Sequence, residues 1–438
     1  MRPQNRGAEL KDMAEFTGQG NFLRMPRKFL VLLMLMAFLA SPAAGFDTFW
    51  HNEAMRKVGD EFSFSEDARK IMQLGNFSPD FFGPVAEFAG NGLPGKGMEG
   101  LNQYLAKNAQ DRAAAIFLHF DNLNGELDRN SKFDFIFTRL LQNTQAALAA
   151  YYKQTDADER TRKVMVLITL GASLHAVQDF YSHSNWVHQD FDGTKVKLVP
   201  LPGGGHRAPT WFEFRGQSGE PDQWPFLVKT GTYPPVADSV GTHTHMNHDN
   251  SRLIYKEYET AGQPLLSQAH YHTAGAVPAL EQDAASVTAH QQFAFNTAVA
   301  ASTEWVRKVK ENAEAKVAIE FAQGWQLKLK EPKLAKELEA GLATQLALSC
   351  AAGKWDGEDP PGDRGVLCKT VLDKAISATS SSAGARLQAL IIGLATRAAF
   401  PYALKYTGKF WEVHGQYHLL DKLTAGIAAE NGHYSLQK

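Results

Sequence analysis

Apolar residues recur at spacings of three and four positions along much of the chain, a pattern typical of amphipathic α-helices. Few segments alternate apolar and polar residues with the period of two that indicates a half-buried strand. The pattern therefore predicts an all-α protein. The predicted helical stretches are residues 133–152, 158–182, 264–311, 333–349 and 385–402.

Glycine and proline collect instead in residues 90–97 and 199–235. We interpret residues 198–236 as a loop insertion that carries several aromatic side chains. Long loops in compact domains are often lids or binding edges, but the aromatic residues could equally pack on their own domain. These aromatic residues are Trp211, Phe212, Phe214, Trp224 and Phe226.

An apolar run, FLVLLMLMAFL at residues 29–39, follows a basic segment at residues 24–28 and precedes the small residues SPAAG. As a helix this run spans about 16 Å, which is too short for a bilayer core of about 30 Å. The alternative is a short buried helix, but the flanking residues are typical of a secretory signal peptide. We predict that residues 1–45 are removed and that an exported protein begins at Phe46.

The composition narrows the class of protein further. Of the 438 residues, 44% are hydrophobic and 21% are charged, which excludes disordered and collagen-like chains. Loss of residues 1–45, which hold six basic and three acidic side chains, changes the net charge from −2 to −5. Nucleic-acid affinity depends largely on positive charge, so no nucleic-acid partner is expected.

The strongest chemical signal is LGASLHAVQDFYSHSNWV, in which His175, Asp179 and His183 follow one another at four-residue steps. On a helix the three side chains lie within an arc of about 80° over a rise of about 12 Å. The preceding residues VMVLITLGASL are so apolar that the helix must be buried, and buried imidazoles and carboxylates need partners. A metal ion would satisfy all three, with Asp179 able to bridge two ions. A helical ion pair or a hydrogen-bonded core histidine is the alternative.

Three further segments, together with this helix, resemble the zinc-dependent phospholipases C and the single-strand-specific zinc nucleases. They are FDTFWH at residues 46–51, NFSPD at residues 76–80 and FLHFDN at residues 117–122. The segment HAVQDFYSHSNWV is more similar still to the signature of the Het-C type, which includes fungal heterokaryon-incompatibility proteins and bacterial metallophospholipases C. The resemblance extends from Phe46 to about residue 300.

The resemblance implies a helical domain with a metal cluster in a cleft. In that superfamily the first mature residue, an aromatic, binds metal through its free amine and carbonyl, and a nearby histidine joins the same ion. Phe46 and His51 match these roles, while His183 matches the expected spacing less well. The ligands implied are Phe46, His51, Asp80, His119, His175, Asp179 and His183.

The last ligand pair of the superfamily, a histidine followed four residues later by an acid, has no single counterpart. In THTHMNHDNSR, His245 and Asp249 have that spacing. His272, in AHYHTAGA, is the competing candidate. We favour His245 and Asp249 because an acid stands four residues after the histidine.

The function implied is a secreted, metal-dependent phospholipase C that acts on a membrane surface. Two or three zinc ions, or calcium, would activate a water molecule to hydrolyse phosphatidylcholine to diacylglycerol and a phosphorylated head group. Asp80 would act as the general base, or else as a ligand alone. One alternative is a zinc nuclease or nucleotidase. Another is a non-catalytic secreted interaction protein with a structural metal site.

We therefore expect a phospholipase C-like catalytic domain at residues 46–315 and an additional helical region at residues 316–438. Cys350 and Cys368 are the two cysteines of the chain. In an oxidising compartment they would form a disulfide, worth about 3 kcal/mol for a loop of this length. Two free buried thiols are the alternative.

Overall fold

The structure is a computed structural model. It describes residues 48–76, 79, 117–120, 130–189, 191–230, 284–326, 332 and 419–427. All of these residues belong to one compact unit, Pro42–Lys438. Helices account for 73% of the described residues and strands for 3%, so the predicted all-α class is confirmed.

The described residues form eight α-helices, of which α3 and α4 have bounds close to those that the apolar pattern predicts. The predicted stretch 158–182 is a single helix in the structure, and so is 133–152. Within 264–311 the structure has a helix at Ala284–Lys310, whereas 264–283, 333–349 and 385–402 lie outside the described residues. The helices are α1 (Thr48–Glu61), α2 (Glu66–Asn76), α3 (Ser131–Lys153), α4 (Glu159–His183), α5 (Trp211–Ser218), α6 (Ala284–Lys310), α7 (Ala313–Gln323) and α8 (Leu419–Thr424).

Helix α4 is the centre of the fold. Every residue from Val164 to His183 is buried, because this stretch is apolar on all sides rather than on one face. The Asp158 side chain caps the helix by accepting a hydrogen bond from the Thr161 backbone N–H at 2.6 Å. Helices α2, α3, α6 and α7 pack around α4. The residues of α4 that could carry chemistry are therefore held in the protein core.

Helix α4 is also long and apolar enough to cross a membrane by length and composition. All of its apolar window is buried inside the protein. The core helix of a globular protein passes the same test. Burial among the surrounding helices therefore explains why the sequence of α4 is so apolar.

Two glycines allow α2 and α4 to approach with their backbones in contact. A Cβ atom on Gly171 would lie 2.0 Å from the Met72 carbonyl oxygen, and one on Gly75 would lie 2.3 Å from the Ile168 oxygen. Glycine is used where another backbone comes this close. The contact brings the end of α2, with Asn76, against the middle of α4.

The insertion at 198–236 is described up to residue 230. It holds a short antiparallel pair of strands, β1 (Val199–Pro200) and β2 (His206–Arg207), followed by α5. Thr210 and Glu213 cap α5 reciprocally, each side chain accepting a hydrogen bond from the backbone N–H of the other residue.

The aromatic residues of this insertion pack on their own domain. Trp211, Phe214, Trp224 and Phe226 are buried, and Phe212 packs partly buried against the same core. The rings of Trp211 and Phe137 stack with centroids 5.0 Å apart. Of the two interpretations that the sequence left open, packing on the protein's own domain therefore holds for these rings.

Helix α7 belongs to the same core, since Ala315, Ala318, Ile319 and Ala322 are buried and α7 packs against α3 and α4. Most residues beyond 326 lie outside the described residues. The division into residues 46–315 and 316–438 stays a prediction.

Candidate metal centre

Two helices bring three ligand-type side chains together in the core. His175 and Asp179 lie one turn apart on α4, and His51 lies on α1. All three side chains have no exposed surface. The imidazole rings of His51 and His175 stack, with centroids 4.5 Å apart and planes inclined by 27°.

The two imidazoles face the two oxygens of one carboxylate. His51 Nε2 lies 3.2 Å from Asp179 Oδ1, and His175 Nε2 lies 3.0 Å from Asp179 Oδ2. One ligand atom from each residue lies within 4.8 Å of the others. The three side chains thus converge on a common point, although His51 is far from the other two in sequence.

The carboxylate of Asp179 stays ionised in spite of its burial. Burial by itself would raise the pKa of Asp179, but His175 and His51 face it and hold that pKa well below its usual range. An ionised carboxylate accepts hydrogen bonds or binds a cation, and it donates nothing. Asp179 therefore presents two acceptor oxygens to the two histidines.

This arrangement has dimensions that suit a metal ion. In a tetrahedral site with metal–nitrogen distances of about 2.0–2.1 Å, neighbouring ligand atoms lie about 3.3 Å apart. The separations of 3.2 and 3.0 Å run to different oxygens of Asp179 and also fit hydrogen bonds. The grouping of one ligand atom from each residue within 4.8 Å is what an ion requires. His51, His175 and Asp179 can therefore hold a metal ion.

His119 lies beside this group. Its ring meets that of His175 edge to face, with centroids 5.0 Å apart, and its side chain is half-buried. The next residue, Phe120, has a positive φ of 50°, and its buried ring contacts Phe137 and Phe180 at centroid distances of 5.0 and 5.2 Å. These contacts fix the segment of His119 against α3 and α4.

His183 is buried at the end of α4, one turn beyond Asp179. Among the described residues, the compact group of ligand atoms consists of His51, His175 and Asp179. The structure therefore gives Asp179 two histidine neighbours from two helices, whereas the sequence suggested two neighbours from α4 alone.

Several predicted site residues lie outside the described residues, and their roles stay predictions. The same holds for the predicted signal peptide at residues 1–45. These site residues are Phe46, Asp80, His245, Asp249, His272, Cys350 and Cys368.

Two further residues of the site, Gln178 and Asn76, are not among those that the sequence predicted. Gln178 Oε1 lies 2.6 Å from His51 Nδ1, and Asn76 Nδ2 lies 3.1 Å from the same oxygen. A signal was available, because Gln178 is a polar residue next to Asp179 in a helix whose apolar character requires full burial. A buried amide in such a place needs partners.

Comparison with known proteins gives a different family from the one expected. Residues 114–201, about a fifth of the chain, match the family model of the VWA7 N-terminal domain. No curated protein and no solved structure matches the chain. The assignment to the zinc phospholipase C and Het-C families is therefore wrong. The physical reason is that a His-x3-Asp spacing suits any metal site built on one helix face, so this spacing does not distinguish one family from another.

Proposed function

We propose that the protein is a metal-dependent phosphodiester hydrolase in which His51, His175 and Asp179 bind a divalent transition-metal ion. The observation that carries the proposal is geometric: two imidazole Nε2 atoms face the two oxygens of one fully buried carboxylate, at 3.2 and 3.0 Å. A cation between the three side chains would best compensate the buried negative charge of the carboxylate.

Zinc is the ion that this set of donors suits best. Two imidazole nitrogens and a carboxylate form a common catalytic zinc site. Calcium instead takes six to eight oxygen ligands, and two of the three donors here are nitrogens. His119, whose ring contacts that of His175, is the candidate for a further ligand.

The chain's own residues determine what the ion could do. Asp179 supplies the negative charge, while His51 and His175 supply neutral nitrogen donors. When bound, a divalent ion supplies Lewis acidity that polarises a phosphoryl oxygen and lowers the pKa of water. This chemistry hydrolyses phosphodiesters without a nucleophilic side chain.

A glycerophospholipid such as phosphatidylcholine is the proposed substrate, with diacylglycerol and a phosphorylated head group as products. The support for a lipid over a nucleic acid is electrostatic. The protein has a net charge of −5 after loss of residues 1–45, and a negatively charged protein attracts a polynucleotide little. Export by means of residues 1–45 remains part of the proposal, and it predicts a mature N-terminus at Phe46.

One observation favours a second candidate, a non-catalytic protein with a structural metal ion. His51, His175 and Asp179 have no exposed surface, whereas a catalytic ion keeps an open position for water or substrate. Removal of the metal would then unfold the protein rather than abolish turnover.

The experiment compares wild-type protein with Asp179→Asn and with Asp156→Asn, the same substitution at an exposed position. Metal content, circular dichroism and release of phosphocholine from phosphatidylcholine vesicles are measured before and after chelation. We expect stoichiometric zinc and turnover in wild type and Asp156→Asn, and loss of both in Asp179→Asn.

Each other outcome rejects part of the proposal. Zinc without turnover, with unfolding on chelation, would support the structural candidate. Turnover on single-stranded DNA but not on the vesicles would overturn the lipid substrate. Wild-type protein that binds no zinc at all would overturn the metal site itself.

A further inference from the structure

The orientation of one buried amide is fixed by the backbone. Asn76 Nδ2 lies 3.2 Å from the Gly171 carbonyl oxygen, which can accept a hydrogen bond but cannot donate one. The amide nitrogen of Asn76 must therefore face Gly171. Its second hydrogen points to Gln178 Oε1 at 3.1 Å.

This contact fixes the orientation of Gln178 in turn. The atom of Gln178 that faces Asn76 Nδ2 has to be the acceptor Oε1. The amide nitrogen then faces Ser302 Oγ at 3.1 Å and Met55 Sδ at 3.7 Å. A flipped amide would place its nitrogen against the donating nitrogen of Asn76, so the observed orientation is the stable one.

The same oxygen determines the tautomer of His51. His51 Nδ1 lies 2.6 Å from Gln178 Oε1, and an oxygen with no hydrogen requires a donor opposite it. Nδ1 therefore carries a hydrogen. When a metal ion is bound, neutral His51 would carry its lone pair on the other nitrogen, Nε2, which lies 3.2 Å from Asp179 Oδ1.

We propose that Gln178 is a positioning residue that fixes His51 in its Nδ1–H tautomer and so presents Nε2 to a metal ion. The inference rests on the metal site proposed above. Metal-binding histidines commonly donate a hydrogen bond from the N–H of their second ring nitrogen to an oxygen, which sets the tautomer and the ring orientation. Four helices contribute here, because Gln178 lies on α4 and its partners lie on α1, α2 and α6.

The test measures Co²⁺ affinity by competition with a chromogenic chelator. Gln178→Met keeps the length of the side chain and removes the oxygen that accepts from His51. We expect affinity to fall about 10- to 100-fold, the usual effect of losing such a partner. Gln178→Glu keeps an accepting oxygen and is expected to retain most of the affinity. Thr169→Val, which removes one buried hydrogen bond elsewhere on α4, is expected to leave the affinity unchanged.

A spectroscopic readout separates positioning from general destabilisation. In the zinc-loaded wild type, imidazole ¹⁵N spectra are expected to show a protonated Nδ1 on His51, assigned by its absence in His51→Gln. In Gln178→Met this signal is expected to shift or to split between tautomers. A purely structural role for Gln178 would leave the signal unchanged.

The outcomes distinguish this inference from the proposed function. Wild-type protein that binds neither Co²⁺ nor Zn²⁺ overturns the metal site. Wild-type protein that binds Co²⁺ while Gln178→Met binds it equally well overturns the role of Gln178 alone. If Gln178→Met does not fold, Asn76→Ser removes the group that orients Gln178, and we expect about tenfold weaker Co²⁺ binding. Unchanged binding by a folded Asn76→Ser would then overturn the proposal.

Discussion

The pKa values of Asp179, which is fully buried, and of Glu304, which is half-buried, shift in opposite directions because the neighbours of the two residues differ. His175 and His51 hold the pKa of Asp179 low in spite of complete burial. Burial raises the pKa of Glu304, and the nearby carboxylate of Glu213 raises it further, which outweighs the hydrogen bond from Thr210. Charge compensation, rather than burial alone, therefore decides the direction in which the pKa of each acid shifts.

Glu304→Gln is expected to stabilise the protein at pH 7. Because the folded-state pKa of Glu304 is raised, the folded state binds this proton more tightly than the unfolded state. Stability therefore falls as pH rises from the unfolded value of about 4.3 through the raised pKa. Glutamine does not titrate, so the Glu304→Gln variant does not lose stability in this way as the pH rises. We expect a gain below about 1 kcal/mol, since solvent screens a side chain that is only partly buried.

Urea unfolding at pH 4 and at pH 7 checks this prediction. The difference between Glu304→Gln and wild type should be present at pH 7 and small at pH 4. Glu320→Gln, at an exposed position of α7, serves as the matched control for the substitution itself. A Glu304→Gln protein that is less stable than wild type at pH 7 would contradict the argument.

At the scale of elements, the contact between α2 and α4 carries the candidate site. Gly75 and Gly171 let the two backbones touch, and this places Asn76 within hydrogen-bond distance of both Gly171 and Gln178. The orientation of His51 therefore depends on how closely these two helices pack.

Gly171→Ala is expected to destabilise the fold by about 1–3 kcal/mol, because overpacking against a rigid backbone forces the helices apart. The added Cβ would lie 2.0 Å from the Met72 carbonyl oxygen. Gly216→Ala is the control, since Gly216 lies in α5 with nothing within 4 Å of an added Cβ. There alanine should stabilise the helix by up to about 1 kcal/mol. Thermal or urea unfolding of both variants measures the difference, and equal stabilities would refute the close contact.

The sequence predicts much of the fold, because the period of apolar residues reports directly on helix faces. The bounds of α3 and α4 follow from it to within about two residues, and the convergence of His51, His175 and Asp179 agrees with three of the ligands expected. The aromatic residues of the insertion were ambiguous, because composition does not reveal whether a ring faces solvent or a core.

The contacts of Gln178 could not be read from the sequence either. Its partners Met55, Asn76 and Ser302 come from three separate helices, and only tertiary packing brings them together. The family assignment failed for a related reason. Spacing on one helix describes a local geometry, whereas membership of a family depends on the whole domain.

At the scale of the whole molecule, a metal ion would connect helices that are far apart in sequence. His51 belongs to α1, and His175 and Asp179 belong to α4, so the ligands come together only in the folded chain. An ion that binds the folded state alone stabilises it by about 2.7 kcal/mol at one hundred times its Kd. We therefore expect Zn²⁺ to raise the melting temperature of the metal-free protein, and the rise to increase with zinc concentration.

His51→Ala should abolish this zinc-dependent rise, because it removes the ligand that joins α1 to α4. His206→Ala, which removes an exposed histidine on β2, should keep the full rise. Differential scanning calorimetry over a zinc titration measures both variants against wild type. A rise that survives in His51→Ala would mean that the stabilising ion binds elsewhere, and it would separate zinc binding from the group formed by His51, His175 and Asp179.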